Sequence, residues 1–155
     1  MAFSLRRAEA ADANALTACI DAAYAGYVVE GIDLPPVSEG VSEDIRDNIV
    51  WLAVDGDRVL GGVILSLSGE VAHLMNVAVD PDQSGDGIGR ALIDAAITAA
   101  RKAGHTTMEL ATHKDMPQNV TLYQHLGWEV IGEDGNKIFM AYRLDDPSRP
   151  QAPLR

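Results

Sequence analysis

The chain has 155 residues, of which 47% are hydrophobic and 23% charged, ordinary proportions for a globular protein with one core. Its 12 Lys and Arg stand against 23 Asp and Glu, and a formal net charge of −11 sets it against a phosphate backbone, so nucleic acid is excluded as a main partner. No apolar run approaches the roughly 20 residues that span a bilayer, so no membrane association is expected. Met1–Arg7 lacks a basic segment leading into an apolar one, and Cys19, the only cysteine, has no internal partner; both features point to a cytoplasmic protein. Cys19 sits in an Ala-rich stretch and reads as a small buried apolar residue.

Taken in chain order, Phe3 to Arg7 predicts a strand. Asp12 is placed to cap a helix running to about Ala25, with Leu16, Cys19, Ile20 and Ala23 on one face. Pro35 and Pro36 make the stretch from Gly31 to Gly40 a loop, and Ser42 is an N-cap for a short helix reaching about Asn48. Ile49–Val54 and Val59–Leu67 flank Asp55-Gly56-Asp57, a hairpin signal, and Val71–Val79 is a third strand ending at Asp80-Pro81-Asp82. Gly87 to Ala103 is a long helix with Ile88, Leu92, Ala95, Ala96 and Ala99 on its apolar side and Gly104 at its end. Thr107–Ala111 is a strand, Pro117 opens a short helix closed by Gly127, and Trp128–Ile131 and Lys137–Leu144 are strands around Asp134-Gly135-Asn136. The order is β-α-α-β-β-β-α-β-α-β-β. It predicts an α/β (α+β) fold with a central mixed β-sheet flanked by helices, one domain over residues 1–145, and a flexible Pro-rich tail over 146–155.

One stretch carries most of the functional signal: Val77-Ala78-Val79-Asp80-Pro81, then Ser84-Gly85-Asp86-Gly87-Ile88-Gly89-Arg90 at the start of the long helix. Glycines let the backbone adopt unusual angles and let a ligand approach, and a helix start presents unpaired N–H groups at a positive dipole end. Together these suit a pyrophosphate. No Gly-Lys-Ser/Thr follows, and the G-x-G-x-x-G spacing is absent, which counts against a Walker loop and a nucleotide-binding Rossmann module.

With Asn119-Val120-Thr121-Leu122-Tyr123 and Leu126-Gly127-Trp128 downstream, the sequence resembles the GNAT N-acetyltransferase superfamily over nearly its whole length. In that family the turn is Arg/Gln-x-x-Gly-x-Gly/Ala. This chain departs from it at Ser84, and Asp86 brings a carboxylate that repels phosphate. The resemblance implies acetyl-CoA as cosubstrate, held by Ser84, Gly85, Asp86, Gly87, Ile88, Gly89, Arg90 and Asn119, with a bulged strand offering the backbone of Val77, Ala78 and Val79 to pantetheine and to the developing oxyanion. It implies Tyr123 as the general acid that protonates the leaving thiolate and transfer to a primary amine by direct attack in a ternary complex.

His73, sharing a face with Met75 and Val77 by strand alternation, is the candidate base, and His113 is its rival. Tyr24, Tyr27 and Glu30, with Asp33 and Glu39 in the following loop, are the candidate contacts to a small-molecule or peptide amine acceptor. No metal is expected, since the four histidines show no ligand spacing. The oligomeric state is open, a homodimer being common among similar proteins. The competing reading is a non-catalytic acyl-CoA-binding sensor on the same fold.

Overall fold

The structure, a computed structural model, describes residues 3–32, 38–83 and 85–145. Seven strands and four helices follow the predicted order: β1 Ser4–Arg7, α1 Ala13–Val29, α2 Val41–Asp47, β2 Ile49–Asp55, β3 Arg58–Ser66, β4 Ala72–Val79, α3 Ile88–Lys102, β5 Thr107–His113, α4 Pro117–His125, β6 Glu129–Asp134 and β7 Lys137–Arg143. The expected tail, residues 146–155, lies outside the described residues, as do residue 84 and residues 33–37. No helix among the described residues is long and apolar enough to cross a membrane.

The strands form one sheet in the order β1-β2-β3-β4-β5-β7-β6. Neighbouring pairs are antiparallel except β4 with β5. This pattern rules out a doubly wound nucleotide-binding sheet, which needs parallel strands throughout its centre.

Apolar side chains cover both faces. On one face α3 packs through Ile88, Leu92, Ala96 and Ala100 with Leu60, Leu65, Leu74, Met108, Trp128 and Met140. On the other, α1 and α2 place Leu16, Ile20 and Val41 against Val50, Leu52, Ile64 and Ala78. Cys19 is buried as expected, and burial pushes its thiol up to about 11.

Local chemistry alters several helix starts. Asp12 precedes α1 but does not cap it with its side chain; its carboxylate instead takes two hydrogen bonds from Arg6, at 2.8 and 2.9 Å, and one from the Glu9 N–H at 2.7 Å. Its proton affinity is lowered chiefly by the Arg6 hydrogen bonds. Ser42 is inside α2, whose N-cap is Gly40 at φ 82°. α1 also runs on past Gly26 to Val29, so Tyr27 is on the helix and not in a loop.

Gly61 sets how closely β3, β4 and α3 approach. A Cβ there would sit 2.8 Å from the Ala78 carbonyl oxygen, 3.1 Å from Ile88 Cγ2 and 3.2 Å from Leu92 Cδ1. The first of these atoms is backbone in a paired strand and cannot turn aside. Gly61→Ala should therefore destabilise the protein by about 1–3 kcal/mol, as overpacking does. Thermal unfolding followed by circular dichroism reads this as a melting point several degrees lower; one within about a degree of the parent would show that β4 yields to the methyl group.

Candidate active site

β4 ends at Val79, and the Asp80 N–H donates to the Leu60 carbonyl at 2.8 Å. The Asp80 carboxylate accepts from the Asp82 N–H at 2.9 Å and from Arg58 at 3.3 Å, which fixes the exit from the strand. After one 3-10 turn, Gly85 and Gly87 take the left-handed conformation at φ 91° and 80°, where side chains are strained. α3 begins at Ile88, and the Ala91 N–H donates to the Gly87 carbonyl at 3.0 Å; as at any helix start, the N–H groups of the first turn have no acceptor within the helix.

A Cβ placed on Gly85 or Gly87 meets nothing within 4 Å, so the backbone faces open space; one on Gly89 would lie 3.5 Å from Val79 Cγ2. A bare, glycine-walled helix start fits a pyrophosphate. Asp86 and Arg90 line one small cavity there, about 200 Å³ in volume, without an ion pair between them. Arg90 does not neutralise Asp86. Asp86→Lys should thus tighten coenzyme A binding, most at low salt, where screening is weakest. A dissociation constant that stays the same in low-salt titration calorimetry would mean that Asp86 points away from the ligand.

Beside this turn the sheet parts. β4 and β5 pair only at Ala72 with Met108 and His73 with Glu109, and beyond that pair the strands separate. A bulge on the other edge of β4 accompanies the parting: Ile64 pairs with Asn76 and Leu65 with Leu74, so Met75 is the extra residue. The bulge overturns the expected alternation. Val77 packs with Val79, Ala72 and Leu74 on the α3 face, whereas His73 and Met75 lie on the opposite side.

The narrow middle of the split is lined by Tyr24 from α1, Asn76 and Val77 from β4, Thr112 from β5, and Asn119 and Tyr123 from α4. The Tyr24 hydroxyl donates to Asn76 Oδ1 at 3.4 Å. Asn119 is not a helix cap, since Met116 holds that position; its Nδ2 donates to Thr112 Oγ1 at 3.4 Å and ties α4 to β5. Tyr123 packs its ring edge-on against Trp128, with centroids 5.6 Å apart. Burial, reinforced by Tyr24, holds the Tyr123 hydroxyl well above its ordinary pKa, and burial does the same to Tyr24.

On the α1 side the split opens into a cavity of about 610 Å³ that includes His73, Met75, Glu109 and Phe139. His73 is exposed there. His113 does not line the split: it is buried at the end of β5, where its Nδ1 accepts from the Asp115 N–H at 3.0 Å. Tyr27 accepts a 2.6 Å hydrogen bond from Gln118 of α4, which straps α1 to α4, while Glu30 caps the end of α1, outside the linings. Ser84 and Asp33 lie outside the described residues. The sequence reading passed over Asn76, Glu109, Thr112 and Gln118. Polar residues at Asn76, Glu109 and Thr112, each beside apolar neighbours within its strand, were the available signal.

A mixed seven-stranded sheet flanked by helices is the fold of solved N-acetyltransferases. One such neighbour is the PaiA N-acetyltransferase of Thermoplasma acidophilum, solved with coenzyme A, which superposes with a TM-score of 0.80 at 20% identity over 92% of this chain and 99% of its own. Residues 15–128 match the Acetyltransferase (GNAT) family; the chain belongs to that family and is an acetyl-CoA-dependent acyltransferase. It is similar to the peptidyl-lysine N-acetyltransferase YjaB of Salmonella typhimurium, at 34% identity over 74% of this chain and 68% of the relative. It is also 42% identical over 60 residues to an uncharacterized N-acetyltransferase of Methanocaldococcus jannaschii. That match covers 39% of this chain and spans only about a quarter, 26%, of the relative's length.

Proposed function

We propose that the chain transfers an acetyl group to a primary amine, with amine and acetyl-CoA held together at the split and the amine attacking directly. The observation that carries this reading is the parting of β4 from β5, which brings Asn119 and Tyr123 from one side and His73 from the other to one opening. Acetyl-CoA, when bound, supplies the activated thioester. Its pyrophosphate would be held by backbone N–H groups from Gly85 to Arg90, and the unpaired edge of β4 from Val77 to Val79 offers N–H and C=O groups to an extended ligand.

Tyr123 keeps its proton at neutral pH because burial disfavours the phenolate, and it stands as a donor to a departing thiolate. His73 is exposed on the acceptor side, where its imidazole stands as the candidate to take the amine's proton. Tyr24 borders the opening through Asn76, and Tyr27 fixes the wall behind it through Gln118.

The test is release of free thiol from acetyl-CoA with a panel of primary amines. Amine-dependent thiol release supports transfer. Coenzyme A binding with no release for any amine, given a folded protein, would overturn transfer to a primary amine.

A further inference from the structure

We propose that the 610 Å³ cavity on the α1 side of the split selects a primary amine carried on an apolar body, with no carboxylate beside the amine. The proposal rests on the acyl-transfer reading for its chemistry, but the selectivity is a binding property and can be measured without turnover.

The cavity is placed by strand alternation. Met108 and Leu110 of β5 pack toward α3, so Glu109 and Ala111 face the other way, beside His73 and Met75. Met75, Ala111 and Phe139 supply its apolar side chains, Leu74 and Leu110 border it while packing toward α3, and its polar groups are Ser66, His73 and Glu109. The Ser66 hydroxyl is already in contact with the Ser68 hydroxyl at 3.1 Å. Its size falls within the usual range of small-ligand sites, and an apolar wall with a few convergent polar groups is their usual chemistry.

Charge decides the class. Among the described residues no Lys or Arg lines the cavity and Glu109 is its one carboxylate, able to accept hydrogen bonds from an ammonium. The basic residues of β7 stand at the two ends of the strand, Lys137 opposite His113 and Arg143 opposite Thr107, and Arg143 is paired with Asp145 at 3.4 Å. An α-amino acid would bring its carboxylate beside Glu109 with no Lys or Arg of the described lining to receive it, and an amino sugar would press most of its hydroxyls against Met75 and Phe139, with only Ser66, His73 and Glu109 to partner them. Both are rejected by what the wall lacks.

The experiment is titration calorimetry of the full chain with coenzyme A bound, at pH 7, using 2-phenylethylamine, phenylalanine, phenylalanine amide and glucosamine as probes. Phenylethylamine and phenylalanine amide should bind at least about tenfold more tightly than phenylalanine, and more tightly than glucosamine. Glu109→Gln should weaken phenylethylamine, and Ala111→Arg, at an exposed position, should shift the preference toward phenylalanine; Phe139→Arg provides a second route to the same shift. Equal affinities, the reverse order, or no binding of any probe would overturn the proposal. The predicted order of binding without thiol release from acetyl-CoA would sustain the cavity's selectivity and overturn the acyl-transfer reading alone.

Discussion

Tyr123→Phe is expected to lower kcat by about 10²- to 10⁴-fold and to leave acetyl-CoA affinity nearly unchanged, the span typical of a lost general acid. The ring and its edge-on packing against Trp128 survive the change, so the fold and the walls of the split are kept. Only the proton is removed, and it is needed once the thiolate begins to leave, so the loss appears in kcat and equally in kcat/KM. Burial fixes the pH behaviour. Raising the pKa of a phenol favours the protonated form, so the donor stays loaded as pH rises, and any alkaline limb that Tyr123 causes lies above the ordinary tyrosine value of about 10. Between pH 6 and 9 the wild-type rate should not fall on account of this group. A Phe variant that keeps full kcat over that range, measured with an amine acceptor in excess, removes Tyr123 from the mechanism and leaves thiolate release to water.

The second large effect is expected at the glycine turn. Gly87→Val and Gly89→Val should abolish coenzyme A binding, because each places a branched side chain at the opening of α3, where N–H groups must meet an anion. Gly87 also has φ 80°, so valine there carries backbone strain in addition to blocking the ligand. Gly104 separates the two effects. It too has a left-handed φ, 90°, and open space around it, but it closes the far end of α3. Gly104→Val should lose stability like Gly87→Val and still bind coenzyme A. Calorimetric titration of the three variants, with melting points as folding controls, decides the matter; a folded Gly89→Val that binds normally would sink the site.

The order of elements was legible because turn chemistry punctuates this chain. Asp55-Gly56-Asp57, Gly104, Gly127 and Asp134-Gly135-Asn136 mark real boundaries, with left-handed backbone at each glycine. The glycine turn, Asn119 and Tyr123 were legible through their motifs. The resemblance implied a bulge in this strand but not its position at Met75, since an inserted residue has no side-chain signature, and it turned Val77 to the face opposite the one alternation assigns. Glu109 reads in sequence as one polar residue in a strand; only the early end of β4–β5 pairing makes it the wall of a cavity. The end of α1 was misplaced because glycine is a weak stop. Gly26 costs about 1 kcal/mol inside a helix, and its carbonyl still takes the Glu30 N–H at 3.1 Å.

The short seam between β4 and β5 has a consequence for how this sheet comes together. β1 through β4 are antiparallel pairs, β2 to β4 joined by short turns, and β5, β7 and β6 form a second antiparallel block; two residue pairs stitch the blocks. Only β2 to β4 and β6 with β7 close short turns; β1 meets β2 across residues 8–48, a longer connection than residues 80–106, which bring β5 back alongside β4. On the α3 face a shared core welds the blocks, with Leu74 and Met108 in one cluster. On the other face the Tyr27–Gln118 hydrogen bond reaches across from α1 to α4. The sheet is in effect a pair of leaves bound along one side, and their free margin borders the gap that the proposed ligands enter.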